Sequence, residues 1–277
     1  MRTNFISLKN LMNANKDLTL NKFTPIKRTS AHLAWNIAVT GSFIFLVYLP
    51  AKDLFLVKQG TRDYLDILHL LPVGIGYTLV ITLLGSVSAI AMGFLVALGK
   101  MSRIKPVQVA ASLYTEILRG VPLLVLLFYI YYALGEFLHI PALAAAVAGF
   151  GFCYGAYMAD IFRAGIEAIP KEQAEAARSL GMTPRQAMVK IVLPQAMRTI
   201  LPAIGNQTLG MLKDTSLVSV LAISDILRVG NEFATKHFNY FETYTYIALI
   251  YLFLTLLMSR LVLHLEMRWS ASTPDIS

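Results

Sequence analysis

A run of 29 residues, 71–99, contains no Asp, Glu, Lys or Arg, and it limits how this chain can fold more than any other feature. An α-helix rises about 1.5 Å per residue, so about 20 apolar residues cross the hydrocarbon core of a bilayer. The whole chain is 56% hydrophobic and 14% charged, whereas soluble proteins have roughly 25% charged residues. Disorder does not fit this composition. The sequence therefore predicts an all-α polytopic membrane protein.

Six hydrophobic runs have the length of a membrane span. They cover residues 31–50, 71–99, 121–138, 141–161, 201–223 and 244–265. The sequence leaves open whether the third run begins earlier, as a partly buried segment from Val107. The fifth run is less regular than the others because it carries Lys213 and Asp214. We predict about six transmembrane helices.

The basic residues orient these helices, because Lys and Arg accumulate in short cytoplasmic segments. With the amino terminus inside, 18 of the 24 Lys and Arg residues fall on the cytoplasmic side, five fall outside and one lies in a span. The reverse orientation would invert this ratio, so both termini are predicted to be cytoplasmic. The basic residues of the cytoplasmic side account for most of the net charge of +8, and they are attracted to anionic lipid. No nucleic-acid partner is expected.

The first hydrophobic run follows a basic segment, which also precedes the apolar part of a signal peptide. That basic segment, residues 1–30, is longer than the usual signal-peptide n-region, and no A-x-A-like cleavage site follows the run. We therefore expect an uncleaved transmembrane helix over residues 31–50. Residues 1–30 and 269–277 are expected to be tails.

Catalytic, cofactor-binding and metal-binding patterns are not found in the sequence. Cys153 is the single cysteine, so the chain can form neither an internal disulfide nor a thiolate metal site. The five histidines are widely scattered. Gly99-Lys100 is followed by Met101 and lacks the spaced upstream glycine of a phosphate-binding loop. We expect no catalytic residue, no cofactor and no metal in this chain.

The loop between the fourth and fifth runs, at about residues 167–198, has strong helix signals. Residues 171–180 are good helix formers, and Gly181 stands where a left-handed residue would end that helix. Thr183 can cap a second helix, with Pro next to it and Gln three residues later. Pro194 is expected to disrupt or kink this second helix. The pattern predicts two short helices at the cytoplasmic membrane surface, either as a passive connector or as a docking element.

The order of residues in this loop resembles the EAA loop of type I ABC importer permeases. The residues that carry the resemblance are Glu175, Ala176, Ala177, Leu180, Gly181, Ile191, Leu193 and Pro194. In that family the loop forms a coupling helix that sits in a groove of the cytoplasmic ATPase subunit. Glu172 departs from the pattern, because the family often has Gly there.

Three further stretches resemble the polar-amino-acid branch of the same family, and with the loop they extend the likeness over about residues 74–268. They lie at residues 114–124, 157–170 and 213–217. The resemblance implies a permease domain over residues 71–268 preceded by an extra helix at 31–50. Gating or structural roles are implied for Arg119, Gly120, Pro122, Asp160 and Arg163.

The polar residues of the fifth run admit two interpretations. They are Asn206, Gln207, Lys213, Asp214, Thr215 and Ser216. Charges inside a span cost about 2.5–3.5 kcal/mol each, so Lys213 and Asp214 are expected either to pair at a break in the helix or to line a translocation path. Adjacent residues project about 100° apart on a helix, so the two side chains cannot both point squarely at one ligand.

The resemblance implies a binding-protein-dependent, ATP-driven importer of polar amino acids, or of relatives such as opines, in the bacterial cytoplasmic membrane. Its expected partners are a dimer of ABC ATPase subunits, a second permease chain of the same or similar sequence, and a periplasmic or extracellular solute-binding protein. ATP hydrolysis is expected on the separate ATPase.

Two other classes of protein remain open from the residues alone. An ion-gradient-driven secondary transporter could use Asp160 or Asp214 as a proton site, but the chain lacks two inverted halves. A receptor or scaffold would need a sizeable extramembrane domain, and the sequence offers none.

Overall fold

The structure, a computed structural model, describes residues 35–46, 48 and 63–271, with side chains up to residue 265 and, in the second part, from residue 70. Contacts divide the chain into two units, Met1–Phe45 and Leu46–Ser277. Every regular element in the described ranges is helical. The prediction of an all-α chain is confirmed.

The apolar helix α1, Trp35–Leu46, contains all described residues of the first unit. It lies within the predicted span 31–50, whose two ends fall outside the described residues, as does the predicted tail 1–30. The helix as described is shorter than a full membrane span. A span over the whole of 31–50 therefore stays a prediction.

The second unit contains ten further α-helices among its described residues. They are α2 (Asp63–Lys100), α3 (Lys105–Gly120), α4 (Leu123–Phe128), α5 (Gly135–Leu138), α6 (Ala142–Glu167), α7 (Lys171–Ser179), α8 (Pro184–Ala187), α9 (Leu193–Asp214), α10 (Ile226–His237) and α11 (Tyr240–Ala271). Two π turns, Tyr129–Ala133 and Met188–Val192, join α4 to α5 and α8 to α9. A 3₁₀ segment, Thr215–Leu221, follows α9.

Four described helical runs are long and apolar enough to cross a membrane. They are Leu70–Lys100, Ala142–Glu167, Pro184–Leu221 and Tyr240–Leu265. The pair Lys105–Gly120 and Leu123–Leu138 supplies a fifth crossing if its two parts count as one span. These five correspond to the second to sixth predicted runs. With that pair counted as one span, the third span begins at Lys105, close to the earlier start from Val107.

The prediction of a separate, disrupted second helix in the cytoplasmic loop is wrong. Helical structure is continuous from α8 through the π turn into α9, so one helical run that begins at Pro184 leads directly into the fifth predicted span. Pro194 lies in the first turn of α9, directly after the π turn. A π turn already shifts the backbone hydrogen-bond register there, so the N–H that proline lacks does not interrupt the helix.

Helices α2 and α6 form the centre of the core, because small residues let their backbones come close. Four alanines of α6 are fully buried: Ala145, Ala146, Ala156 and Ala159. A Cβ atom at Gly93 of α2 would collide with the side chain of Met158, and one at Gly151 of α6 would collide with Ser88. This close contact holds α6 in place, and α6 carries several residues of the site described next.

Candidate functional site

A cleft of about 540 Å³ in the second unit brings together residues from three parts of the chain. Its lining consists of Arg119, Gly120, Val121, Pro122, Leu123, Cys153, Tyr154, Tyr157, Gln207 and Asp214. The cleft thus brings two predicted groups together. One is the set of gating or structural residues, Arg119, Gly120 and Pro122, and the other is Gln207 and Asp214, which were expected on the translocation path. Nothing in the residue pattern indicated that these two predicted groups share one space.

One wall of the cleft is the bend between α3 and the helical run Leu123–Leu138, which begins with α4; the two turn by 103°. The bend covers residues 120–122, and Val121 has extended backbone with a ψ of 128°. Proline disfavours a helical conformation in the residue before it and is well suited to start a helix. Pro122 therefore ends α3 and begins α4. The sharp turn presents the backbone of the bend to the cleft.

The opposite wall is formed by α6 and the end of α9. One face of α6 carries Cys153, the adjacent Tyr154 and, three residues later, Tyr157. The Tyr154 hydroxyl donates a hydrogen bond of 2.7 Å to Oδ2 of Asp214. This contact fixes the carboxylate at the point where α9 passes into the 3₁₀ segment.

Lys213 and Asp214 do not form the ion pair that was one of the two interpretations. The carboxylate of Asp214 bonds to Tyr154, and among the described residues no ion pair includes Lys213. Lys213 is exposed, whereas Thr215 is fully buried and donates its hydroxyl to the Leu212 carbonyl at 2.6 Å. The break after α9 is thus stabilised by Tyr154 and by local backbone bonding.

The remaining polar residues of α9 lie outside the cleft. Asn206 and Lys213 are both exposed and are separated by seven residues, and Thr199, a further seven residues back, is exposed as well. This spacing places the three side chains on one face of the helix. Ser216 is half-buried in the 3₁₀ segment and does not line the cleft. The structure therefore separates a cleft-facing pair, Gln207 and Asp214, from an exposed polar stripe, Thr199, Asn206 and Lys213.

Behind the cleft, Asp160 is the centre of a charge cluster that joins three helices. Its Oδ1 lies 2.8 Å from Nζ of Lys100, at the end of α2, and its Oδ2 lies 2.7 Å from Nη1 of Arg119, at the end of α3. Nε of Arg163, on α6 itself, is 4.0 Å from Oδ1. The Arg119 guanidinium also stacks over the ring of Tyr157 at 5.3 Å. Arg119 thus belongs both to this cluster and to the cleft.

Three residues of this site were not identified from the sequence. Lys100 was counted only as a topogenic charge, although its Nζ also donates to Oγ1 of Thr115 at 3.0 Å. Tyr154 and Tyr157 were not singled out as site residues. A usable signal was present for the tyrosines: Tyr157 is three residues and Tyr154 six residues before Asp160, which places polar atoms along one side of an otherwise apolar helix.

The EAA loop has the predicted helix–Gly–helix form. Helix α7 ends in the Schellman arrangement, in which Gly181 N–H donates to Arg178 and Met182 N–H donates to Ala177. Gly181 has a φ of +86°, the left-handed value that glycine tolerates best. Thr183 and Gln186 form a reciprocal capping box at the start of α8.

The side chains of the EAA loop differ in exposure. Ala177 is buried, whereas Leu180 is 84% exposed. Ile191 lies in the π turn, and Leu193 and Pro194 begin α9. A shallow, open depression follows the turn and is lined by Glu175, Arg178, Ser179, Gly181, Met182, Thr183 and Pro184. The loop thus presents the apolar side chain of Leu180 next to a polar rim.

Comparison with known proteins assigns the chain to a family. The model of the family described as "binding-protein-dependent transport system inner membrane component" matches residues 89–271, which include the cleft, the charge cluster and the EAA loop. The chain belongs to this family. It is a multi-pass protein of the bacterial inner membrane and a permease subunit of an ABC transporter. An ion-gradient-driven secondary transporter finds no support.

Individual relatives agree with this assignment. The chain is 39% identical over 186 residues to the probable amino-acid permease protein YxeN of Bacillus subtilis, covering 66% of this chain and 83% of YxeN. It is 34% identical over 200 residues to the L-cystine transport system permease protein TcyB of the same organism, covering 70% of this chain and 83% of TcyB. The crystal structure of an amino acid ABC transporter with histidines contains a chain that is 41% identical, with a TM-score of 0.71, covering 76% of this chain and 100% of that one. The predicted type I importer fold is confirmed.

Proposed function

We propose that this permease subunit carries polar amino acids, or close relatives such as opines, into the cell. The observation that supports this most directly is the cleft, where a cation, Arg119, and an anion, Asp214, line the same space. A zwitterionic solute needs acceptors for its ammonium group and donors for its carboxylate, so both kinds of group are useful on its route. The names of the relatives, an amino-acid permease and an L-cystine permease, agree with this class.

We assign the translocation path to the cleft together with the exposed polar stripe of α9. Lys213 is exposed and has no ion-pair partner among the described residues, and an unpaired charge that faces lipid inside a span is costly. This face of α9 is therefore turned toward water or another protein. A second permease chain that packs against the stripe would enclose a polar path between the two copies.

Residues 167–198 are proposed to be the coupling element that docks on a cytoplasmic ATPase subunit. Leu180 supplies an exposed apolar anchor at the end of α7, and the Gly181 turn fixes the direction of that helix. ATP hydrolysis takes place on the ATPase, and two ATPase subunits move two such loops together. An extracytoplasmic solute-binding protein delivers the solute at the other side and makes most of the selection among solutes.

In this scheme residues 71–268 form the permease domain, residues 31–50 an additional transmembrane helix, and residues 1–30 and 269–277 cytoplasmic tails. The family match over residues 89–271 supports a permease domain in this part of the chain. The added helix brings an apolar segment into the membrane. The tail before it brings six basic residues to the cytoplasmic side.

The proposal is tested by uptake in intact cells. A strain that lacks this chain is compared with the same strain carrying it on a plasmid, for labelled glutamine, histidine, arginine, cystine and glutamate, with labelled maltose as the control for another solute class. We expect the plasmid to restore uptake of one or more amino acids, and the chain to co-purify with an ATPase. Restored uptake of the sugar alone would contradict the amino-acid assignment.

A further inference from the structure

Arg163 lies between two carboxylates of its own helix. Its Nη1 is 3.0 Å from Oε2 of Glu167, one turn later, and its Nε is 4.0 Å from Oδ1 of Asp160, one turn earlier. That Nε–H is buried and has no hydrogen-bond partner among the described residues. A buried donor without a partner is unfavourable, so a small movement toward Asp160 would satisfy it. Arg163 is therefore bonded to Glu167 and poised to bond to Asp160.

Asp160 already holds two cations, one on each oxygen. Lys100 is bonded to Oδ1 and Arg119 to Oδ2, and a single negative charge balances both. A third cation at bonding distance adds repulsion between like charges. Arg119 has the most exposed side chain of the three, at 50% compared with 13% for Lys100 and 39% for Arg163, so it leaves for water at the lowest cost. An approach of Arg163 to Asp160 would thus weaken the hold on Arg119.

Arg119 and Glu167 connect this cluster to the cleft and to the EAA loop. Arg119 lines the cleft and immediately precedes the bend at residues 120–122 that forms one of its walls. Glu167 is the last residue of α6, and α7 of the EAA loop begins at Lys171. A displacement of the loop therefore acts first on the turn of α6 that carries Glu167.

We propose that Arg163 is a positioning residue that passes a displacement of the EAA loop to the cleft by exchanging Glu167 for Asp160. When Glu167 moves away, Arg163 bonds to Asp160, Arg119 is released, and the cleft wall beside Gly120 opens. This inference rests on the proposed function, namely that the loop docks on an ATPase and that the cleft is the solute path.

Cys153 provides a measurement of cleft opening in the natural chain. It is the single cysteine of the sequence, lines the cleft and is only 5% exposed. The rate at which a small methanethiosulfonate reagent modifies it, in membranes containing the full chain, reports access to the cleft. The chain is separated on a gel before the label is counted. Arg119→Ala, which removes the held side chain, is the reference for an opened cleft and should raise the rate.

Glu167→Gln removes the carboxylate that competes with Asp160 for Arg163. The modification rate of Cys153 should rise about two- to fivefold, the factor that corresponds to the free energy of one exposed ion pair. Adding Arg163→Gln to that variant should return the rate to the wild-type value, because no cation then replaces Arg119. A purely structural role of the pair would make the double variant at least as perturbed as the single one. The matched control is Glu232→Gln on α10, which breaks an Arg–Glu pair of the same spacing, with Arg228, and should leave the rate unchanged.

The inference is overturned if Glu167→Gln labels at the wild-type rate, if the double variant is not restored, or if Arg119→Ala does not accelerate labelling. These rates need no solute and no ATP. If the labelling rates are as predicted but amino-acid uptake fails, the proposed function is refuted and the exchange of Arg163 is not. Normal uptake with an unchanged labelling rate would refute the exchange alone.

Discussion

The Tyr154 hydroxyl and the Asp214 carboxylate meet at 2.7 Å in one wall of the cleft and join α6 to the end of α9. Asp214 is thus oriented by a neutral donor and keeps its negative charge free of any cation among the described side chains. An anion that is not already neutralised can attract a cationic group of a solute. The contact also fixes where the helical backbone of α9 gives way to the 3₁₀ segment.

Replacing Tyr154 with Phe removes only this hydroxyl and should lower amino-acid uptake about tenfold, since a hydrogen bond to a charged group is worth about 1.5–3 kcal/mol. Membrane abundance should stay close to wild type because the ring remains in place. Tyr132→Phe is the control: it removes a hydroxyl that donates to the Val220 carbonyl at 2.9 Å, outside the cleft. Equal uptake by wild type and Tyr154→Phe would show that the orientation of Asp214 does not matter for transport.

Lys213→Ala should reduce uptake without reducing the amount of folded chain. The side chain is exposed and leaves no buried partner unpaired when it is removed, because Asp214 keeps its bond to Tyr154. Uptake and immunoblotted abundance are measured on the same cells. The double variant Lys213→Ala, Asp214→Ala should transport no better than the single one. Restored uptake in the double variant would instead mean that the two charges act as a pair.

Gly181→Val should uncouple ATP hydrolysis from uptake. The position has a φ of +86° and open space where a Cβ atom would stand, so the effect arises from backbone strain and not from a collision. A β-branched residue in this region costs on the order of 1–3 kcal/mol, which is enough to redirect the end of α7. We expect near-normal abundance, weak co-purification of the ATPase and little uptake.

Gly181→Asn is the matched control, because Asn tolerates the left-handed region better than other side chains. It should keep most of the uptake and most of the bound ATPase. If Gly181→Val transports normally with its ATPase attached, the loop is only a connector between two spans.

Asp225 should make the stability of the second unit depend on pH. It is fully buried between the 3₁₀ segment and α10, and burial raises its pKa to about 6, although the backbone N–H groups of Arg228 and Leu227 oppose the shift. Between the ordinary value, 3.8, and about 6 the folded chain binds more protons than the unfolded chain. The contribution of Asp225 is therefore most favourable below the lower value and is lost as the pH rises through about 6.

Asp225→Asn keeps the helix cap and removes the titration, so its comparison with wild type isolates this group. Thermal unfolding in detergent should give a difference in free energy that grows in favour of the variant from pH 4 to pH 6, by on the order of 2 kcal/mol, and is constant above. A difference that does not change with pH would contradict the assignment.

Much of the fold was readable from the sequence because its signals are local. The uncharged run 71–99 lies within α2, and the breaker Gly181 and the capping residues Thr183 and Gln186 act on their immediate neighbours. The effect of Pro194 was misjudged because a local change in the backbone went unrecognised. Its effect depends on the π turn before it, and nothing in the residue pattern indicates that the backbone register shifts there.

The site was only partly predictable because its contacts join residues that are far apart in the chain. Lys100 is 60 residues from Asp160, and Tyr154 is 60 residues from Asp214. The sequence showed that Lys213 and Asp214 are adjacent, and adjacency suggested a pair. In the structure the helix turns the two side chains to different environments, one exposed and one bonded to Tyr154, as the angle of about 100° between neighbours requires.

The central claim, that this chain moves amino acids with energy supplied by a separate ATPase, is tested most directly in proteoliposomes. The chain is reconstituted with its co-purified ATPase, and uptake of the amino acid identified in cells is measured with solute-binding protein outside and ATP inside. We predict uptake that requires both ATP and the binding protein and is unaffected when a proton gradient is collapsed with an ionophore. Uptake by the chain alone, driven by a proton gradient without ATP, would contradict the account.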